Sequence, residues 1–406
     1  MTRLAASIAA VTAISIGASL ACVPLMALMF LMPFCAAIQR SRVAAYCVSL
    51  TYYVGTSWLL LPAARNFFGS EPSPAGSVLL WLGSSALLAA PWALVWTPSR
   101  HQVIWRVPLG LLAAVLPPLG IIGWASPLTS AGILFPATGW FGLMATATLP
   151  GLLVLRPRFV LPGAAASIML SNLVFTGIPA PPAGWEAVDT HFGGIAHGAP
   201  SPVTEFAAAQ SIQDRARAST AHVIVFPETV VPMWTEATDL FWQQTLAELR
   251  ASRKTIMIGA GRPMTGNDRV LPLPEQVTIA PRYRNAVLSA GVESGVFFQR
   301  DPVPLGMLKP FSASGVPLNL SGPGAVQVAG HRAAVLICYE QLLAWPVLQS
   351  IAERPSVVLA IANDYWATST PIPRCQIAVV RIWCRSLTYR FCRPLIGKRC
   401  NVHVIS

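Results

Sequence analysis

The stretch AAVLICYEQLLAW, residues 333–345, decides the reading of the fold. Ala333 to Ile337 is an aliphatic run of strand length, and it stops on Cys338, Tyr339 and Glu340 before an apolar, helix-like segment begins. A second run ends in a similar way: HVIVF at 222–226 leads into Pro227 and Glu228. Around these two lie TIMIGA at 255–260, NAVLSA at 285–290, VFF at 296–298 and VVLAIA at 357–362. Strands apolar on both faces belong to layered α/β domains, where ligands collect at the strands' C-terminal ends. A thiol becomes a nucleophile when a neighbouring base takes its proton, and a carboxylate in apolar surroundings has its pKa raised towards that task. Glu228 is the natural base for Cys338. The plain alternatives are inert packing for the thiol and a loop-solvating or capping role for the carboxylate. Gly259 and Gly261 lack the third glycine and helix start of a dinucleotide site and are assigned to a turn.

Of 406 residues, 54% are hydrophobic and 11% charged, a balance that calls for a membrane portion. The net charge of +12 is unevenly placed: residues 1–183 hold eight Arg and one acid, 374–406 hold seven Lys or Arg and no acid, and 184–373 hold 13 basic and 15 acidic residues. The globular middle is near neutral and has no basic stripe with interleaved aromatics, which argues against direct nucleic-acid binding. The eight Cys include no CxxC pair and the six His are scattered, so no metal site and no cofactor are expected.

Apolar segments at 44–62, 77–97, 104–124, 130–155 and 159–178 read as membrane spans, and 4–38 as a helical hairpin broken near Pro24, about seven spans in all. A signal peptide ending near Ser19-Leu20-Ala21 is the rival reading, opposed by the apolar run continuing past it. Arg40 and Arg42, Arg100 and Arg106, and Arg156 and Arg158 fall in alternate loops, which places Arg3 inside and everything after residue 180 outside the cytoplasm. IPAPPAGW at 178–185 marks the boundary. Trp234 and Phe241–Trp242 are either a membrane-facing lid or simply core.

Five blocks occur in order: FPET at 226–229, YRNAVLSAG at 283–291, PVPLGMLKP at 302–310, ICYE at 337–340 and IANDYW at 361–366. Together with the N-terminal spans they resemble the nitrilase (carbon-nitrogen hydrolase) superfamily, in particular its membrane-bound apolipoprotein N-acyltransferase branch. The resemblance implies an αββα sandwich and a Glu-Lys-Cys set that passes an acyl group through a thioester. It makes Glu228 the base and Cys338 the nucleophile, with Glu340 supporting the site and the Tyr339 N–H helping to hold an oxyanion. Asn363, Asp364 and Trp366 would shape the pocket wall.

The family lysine falls on Gln299 and the glutamate of its block on Met307. Losing a cation there removes a term worth ~3 kcal/mol, on the order of a hundredfold in rate. Arg300 or Lys309 would have to substitute, although on a strand Arg300 points to the face opposite Gln299. This departure is similar to an acyltransferase-like side branch, the TraB proteins of plasmid conjugal transfer.

QIAVVRIW at 376–383 begins like a family helix, but CRSLTYRFCRPLIGKRCNVHVIS does not continue the pattern. A shifted or truncated reading frame near residue 383 is one explanation, and a short basic end touching anionic lipid is the other. The expected organisation is a membrane α-helical bundle at 1–180, an α/β nitrilase-like sandwich at 181–383, incomplete at its C-terminus if the frame shifts, and an atypical basic tail at 384–406. The expected protein is a multi-pass bacterial inner-membrane protein with a periplasmic catalytic domain, a cysteine-dependent acyltransferase or amidase of conjugal transfer. Its partners would be a membrane lipid or other acyl donor and proteins of the conjugation apparatus. An inactive scaffold of that apparatus, a true apolipoprotein N-acyltransferase and a soluble nitrilase are the alternatives.

Overall fold

The computed structural model describes residues 2–68, 73–190, 202–264, 283–309, 315–364, 367 and 369–396. They form two compact units. One joins Met1–Pro179 to Gln341–Leu348 and Ser369–Tyr389; the other joins Ala180–Glu340 to Gln349–Thr368 and the residues from Arg390 onward.

The first unit is helical: α1 (Arg3–Ser19), α2 (Val23–Ala27), α3 (Leu31–Ala37), α4 (Arg42–Ser57), α5 (Leu60–Phe68), α6 (Pro74–Val95), α7 (Arg100–Val115), α8 (Ala131–Leu134), α9 (Trp140–Leu155) and α10 (Pro157–Val174). The hairpin expected in 4–38 breaks between α1 and α2, and Pro24 sits in the first turn of α2, where its missing N–H leaves no bond unmade. Hydroxyls within the helices bond back to carbonyls one turn earlier, as Thr12 to Ile8, Ser49 to Ala45 and Thr146 to Gly142, which satisfies them in apolar surroundings. Among the described residues one helix, α6, is long and apolar enough to cross a bilayer, with α1 and α9 apolar but shorter. The expectation of about seven spans is therefore met by length and apolar composition together at one of them. Two of the shortfalls have visible causes. Pro117–Pro118 stops the segment at 104–124 after α7, and the segment at 130–155 is divided between α8 and α9 by a turn at Gly139 with φ +60°.

Two later helices follow in the chain, α13 (Ala344–Ala352) and α14 (Ile372–Leu387). QIAVVRIW is helical as expected, but α14 packs within the helical unit rather than in the domain drawn at 181–383. It lies so close to α8 that a Cβ on Gly132 would stand 1.9 Å from the Ile382 carbonyl oxygen, so only glycine fits there.

The second unit is α/β. Its strands are β1 (Trp185–Ala187), β2 (Val223–Val225), β3 (Val231–Met233), β4 (Thr255–Pro263), β5 (Tyr283–Gly291), β6 (Gly295–Phe298), β7 (Ala325–Val328), β8 (His331–Ile337), β9 (Val357–Asn363), β10 (Arg390–Cys392) and β11 (Leu395–Ile396); α11 (Pro202–Ala218) and α12 (Glu236–Ala251) lie between them. One mixed sheet runs β1-β2-β4-β5-β6, with β3 also on β4, and the other runs β10-β9-β8-β7, with β11 also on β9.

Alternation along the strands builds two cores. Ile224, Phe226, Ile256, Ile258 and Leu288 face α11 and α12, together with Trp242 and Leu249. Val223, Val225, Met257, Val287 and Phe297 face the second sheet and meet Val335, Ile337, Leu359 and Ile361. The layers of this unit are thus helix, sheet and sheet. α12 starts where Thr235 and Thr238 cap each other and its first turn carries Glu236 and Asp239, a favourable match to the helix dipole. Trp234 and Trp242 are buried in the first core, so the lid reading gives way to the core reading, with Phe241 packed against them.

Two further expectations change. Gly259 and Gly261 lie inside β4 rather than in a turn, because the Glu228 segment crosses the strand there: a Cβ on Gly259 would meet the Pro227 oxygen at 2.3 Å and the Glu228 Cα at 2.5 Å. The segment read as an atypical tail supplies β10 and β11, which extend β9 in parallel at Arg390↔Val357 and Leu395↔Ala362.

Candidate functional site

Glu228 and Cys338, 110 positions apart in the chain, are brought into contact by the two sheets. β8 pairs with β9 so that Ile337 faces Ile361, and Cys338 leaves the strand while β9 runs on to Asn363. Glu228 follows β2, whose last residue pairs with Met257. The thiol and the carboxyl are hydrogen-bonded, and each residue is 4% exposed. Both hinge on left-handed backbone: Cys338 itself has φ +50° and Thr229, next to Glu228, has φ +48°. A non-glycine residue held there costs about 1 kcal/mol, and such strain gathers at functional sites.

Glu228 is held from several sides. Its Oε1 accepts from Asn285 Nδ2 at 2.6 Å and its Oε2 from the Asn363 N–H at 2.9 Å. Asn285 Nδ2 also donates to Gln299 Oε1 at 3.0 Å, and Gln299 Nε2 donates to the Ile337 carbonyl at 3.2 Å. A chain of amides therefore runs from Glu228 to Ile337, the residue before Cys338. Gln299, the position on which the family lysine falls, is buried within this chain and carries no charge. Burial pushes the Glu228 carboxyl up to about 7, against the pull of its hydrogen bonds, with the Asp364 charge adding to the rise. Burial, followed by the charges of Glu228 and Asp364, pushes the Cys338 thiol well above its ordinary value, while the Tyr339 N–H bonded to the sulfur works the other way. The thiol therefore rests protonated at neutral pH, and attack requires the proton to move to Glu228 as the sulfur engages an electrophile.

Glu340 is buried on the other side of the turn. It accepts from the Ile337 N–H at 2.9 Å, from the Arg300 N–H at 2.6 Å and from the Asp301 N–H at 3.1 Å, so it ties the end of β6 to the Cys338 turn. The Arg300 guanidinium lies 3.5 Å from the same carboxylate, donates to Ser350 and to the Val335 carbonyl, and lies 5.6 Å from the centre of the Phe297 ring. It is committed away from Gln299, as the alternation of a strand demands. Lys309 is exposed and has no polar contact among the described residues. Of the two cations named as lysine substitutes, Arg300 is engaged with Glu340, Ser350 and the Val335 carbonyl, and Lys309 is exposed. The Tyr339 side chain is buried, and the charge of Asp301 bears on its hydroxyl. Asn363 fixes Glu228 through its N–H and bonds Thr229 Oγ1 through its side chain at 3.0 Å. Trp366 lies outside the described residues.

Sequence reasoning missed three members. Asn285 and Tyr283 alternate along β5 in the YRN block, and the Glu228 charge bears on the Tyr283 phenol, so a period-2 reading of that block points to them. Arg393 carried no signal, because nothing in a basic tail marks one arginine. It donates to Asp364 Oδ2 at 2.8 Å in a buried ion pair.

No family model matches the chain. It is 33% identical over 388 residues to the conjugal transfer protein TraB of Agrobacterium fabrum, which aligns 90% of this chain with 85% of that one. The chain belongs to the TraB family. A probable conjugal transfer protein TraB of Sinorhizobium fredii is 30% identical over 372 residues, 88% of each chain. An apolipoprotein N-acyltransferase of Azotobacter vinelandii is 26% identical over 181 residues, 41% of this chain and 33% of that one. The TraB match extends across both compact units, whereas the acyltransferase match covers less than half of the chain.

Asp301 is a costly group beside the TraB-family site. It is fully buried, and among the described residues no donor reaches either carboxylate oxygen. Burial first, and then the Glu340 charge, push it up to about 7 against an ordinary value of 3.8. The folded chain therefore holds this proton more tightly than the unfolded chain does. The associated stability is fully present below about pH 4 and is lost as pH rises through about 7. Asp301→Asn removes the loss. Its thermal midpoint in detergent is expected to exceed that of the unaltered chain at pH 8, by an amount equivalent to roughly 2–4 kcal/mol, and to match it at pH 4. Equal midpoints at pH 8 would contradict the burial of an unpaired charge.

Proposed function

We propose that this conjugal-transfer protein is a membrane-bound, nitrilase-like enzyme that passes an acyl group through a thioester on Cys338, with Glu228 as the base. The observation that carries the reading is the hydrogen bond between the Cys338 thiol and the Glu228 carboxyl at the ends of strands from two different sheets. Glu228 near 7 is matched to taking the proton that leaves sulfur and passing it on within one cycle. The acyl donor is a membrane lipid or another ester or amide, and the chain is a multi-pass protein of the bacterial inner membrane with this site on the periplasmic side. Conjugation-apparatus proteins are its partners.

A second reading is favoured by one observation: Gln299 puts a neutral amide where the family has its lysine. In that reading the chain is a catalytically silent scaffold of the mating apparatus. Conjugation frequency with Cys338→Ala and Cys338→Ser separates the two. The enzyme reading expects both variants to fall to the level of a strain lacking the protein, and unaltered frequencies from both would leave the scaffold.

A further inference from the structure

The Glu228 and Cys338 pair leaves one charged group of the site unused. Asp364 follows Asn363 at the end of β9, is 1% exposed, and lies close enough for its charge to bear on both Glu228 and Cys338. Arg393, from the loop between β10 and β11, holds its Oδ2 at 2.8 Å. Among the described residues no donor reaches Oδ1. A buried carboxylate oxygen normally has a donor, and one without points to a group that arrives from outside. Arg393 offsets part of the burial, and Asp364 stands at about 6, below the value to which burial lifts Glu228. Glu228, by contrast, already has its oxygens taken by Asn285, the Asn363 N–H and the thiol. Of these two carboxylates, Glu228 is filled, while Asp364 has an oxygen with no donor among the described residues.

We infer that Asp364, clamped by Arg393, is the catalytic residue that receives the acyl acceptor, taking a hydrogen bond and then a proton from an N–H or O–H nucleophile. The inference rests on the thioester reading above and assigns its second half. In the first half the thiol proton passes to Glu228 and on to the leaving oxygen of an ester donor, as the S–C bond forms and the C–O bond breaks. In the second half the nucleophile attacks the thioester carbon and gives its proton to Asp364. The C–S bond then breaks and the sulfur takes that proton from Asp364, which restores the thiol and the carboxylate. No oxidant, reductant or cofactor enters either half.

p-Nitrophenyl butyrate as donor separates the halves, with the full-length protein in detergent and glycinamide or methanol as acceptor. The unaltered chain is expected to release a burst of one nitrophenolate per chain and then to turn over steadily. Asp364→Asn is expected to keep the burst and to lose about a hundredfold in steady turnover, with butyryl-protein accumulating in the mass spectrum. The double variant Asp364→Asn/Arg393→Gln, which leaves no unpaired guanidinium, is expected to do the same. The acceptor that speeds the unaltered chain identifies the nucleophile as amine or hydroxyl. Turnover of Asp364→Asn at the unaltered rate overturns the assignment. Loss of the burst in both variants also overturns it, since Asp364 would then act only by holding Glu228 in place. Absence of a burst from the unaltered chain removes the thioester reading itself, and this inference with it.

Discussion

Glu228→Gln is expected to slow acylation of Cys338 by about a thousandfold while leaving the chain folded, read as the single-turnover release of nitrophenolate. The physical reason is the state of the thiol. Burial and two neighbouring carboxylates hold it protonated, so the thiolate route used by exposed, positively flanked cysteines is closed. Attack must then be coupled to proton transfer, and Glu228 is the group bonded to that proton. The pH dependence follows in sign. Glu228 accepts a proton only when ionised, so the acylation rate rises as pH passes upward through about 7, the value to which burial lifts this carboxyl. Glutamine preserves the shape and the bond from Asn285 but has no such limb, so the variant's residual rate should be flat across that range. A loss smaller than tenfold, or an unchanged limb, would assign the base elsewhere.

Arg300→Met is expected to be the most destabilising single change near the site, by about 3–5 kcal/mol, measured as a fall in the denaturation midpoint in detergent. Arg300 and Glu340 are both fully buried, and Glu340 also receives the Ile337, Arg300 and Asp301 N–H groups. Removing the guanidinium leaves that carboxylate charged, buried and beside Asp301, a second carboxylate that already lacks a donor. It also strips the Val335 carbonyl and the Ser350 hydroxyl of a donor. The double variant Arg300→Met/Glu340→Gln should recover part of the loss, because the stranded charge is gone. If Arg300→Met were neutral, the pair would contribute nothing to holding the Cys338 turn. Such a pair is better understood as fixing a geometry than as adding net stability.

The TraB-family chain shows its thiol and carboxylate at strand ends in sequence because strand chemistry is local. An aliphatic run that stops on Cys338, and another that stops on Pro227 and Glu228, announce their ends without reference to anything distant. That Gln299 stands where a lysine is expected comes from the resemblance to the acyltransferases, not from the strand pattern. What could not be read was the set of groups around them, because cross-strand register and sheet-to-sheet packing are not written in any window of sequence. Asn285 reaches Glu228 across 57 positions and Asn363 across 135. Arg393 becomes a site residue only because β10 and β11 fold back onto β9.

The sequence by itself determined the composition of the helical unit, the α/β texture beyond residue 180, and the identity of a thiol and a carboxylate at strand ends. The periods of apolar residues and the chemistry of chain breakers suffice for that. Only the tertiary structure decided that the two meet, that Arg300 serves Glu340, and that Asp364 beside them has an oxygen without a donor among the described residues. Those outcomes depend on which faces two sheets bury against each other, and burial sets both the partner a charge finds and the proton it holds.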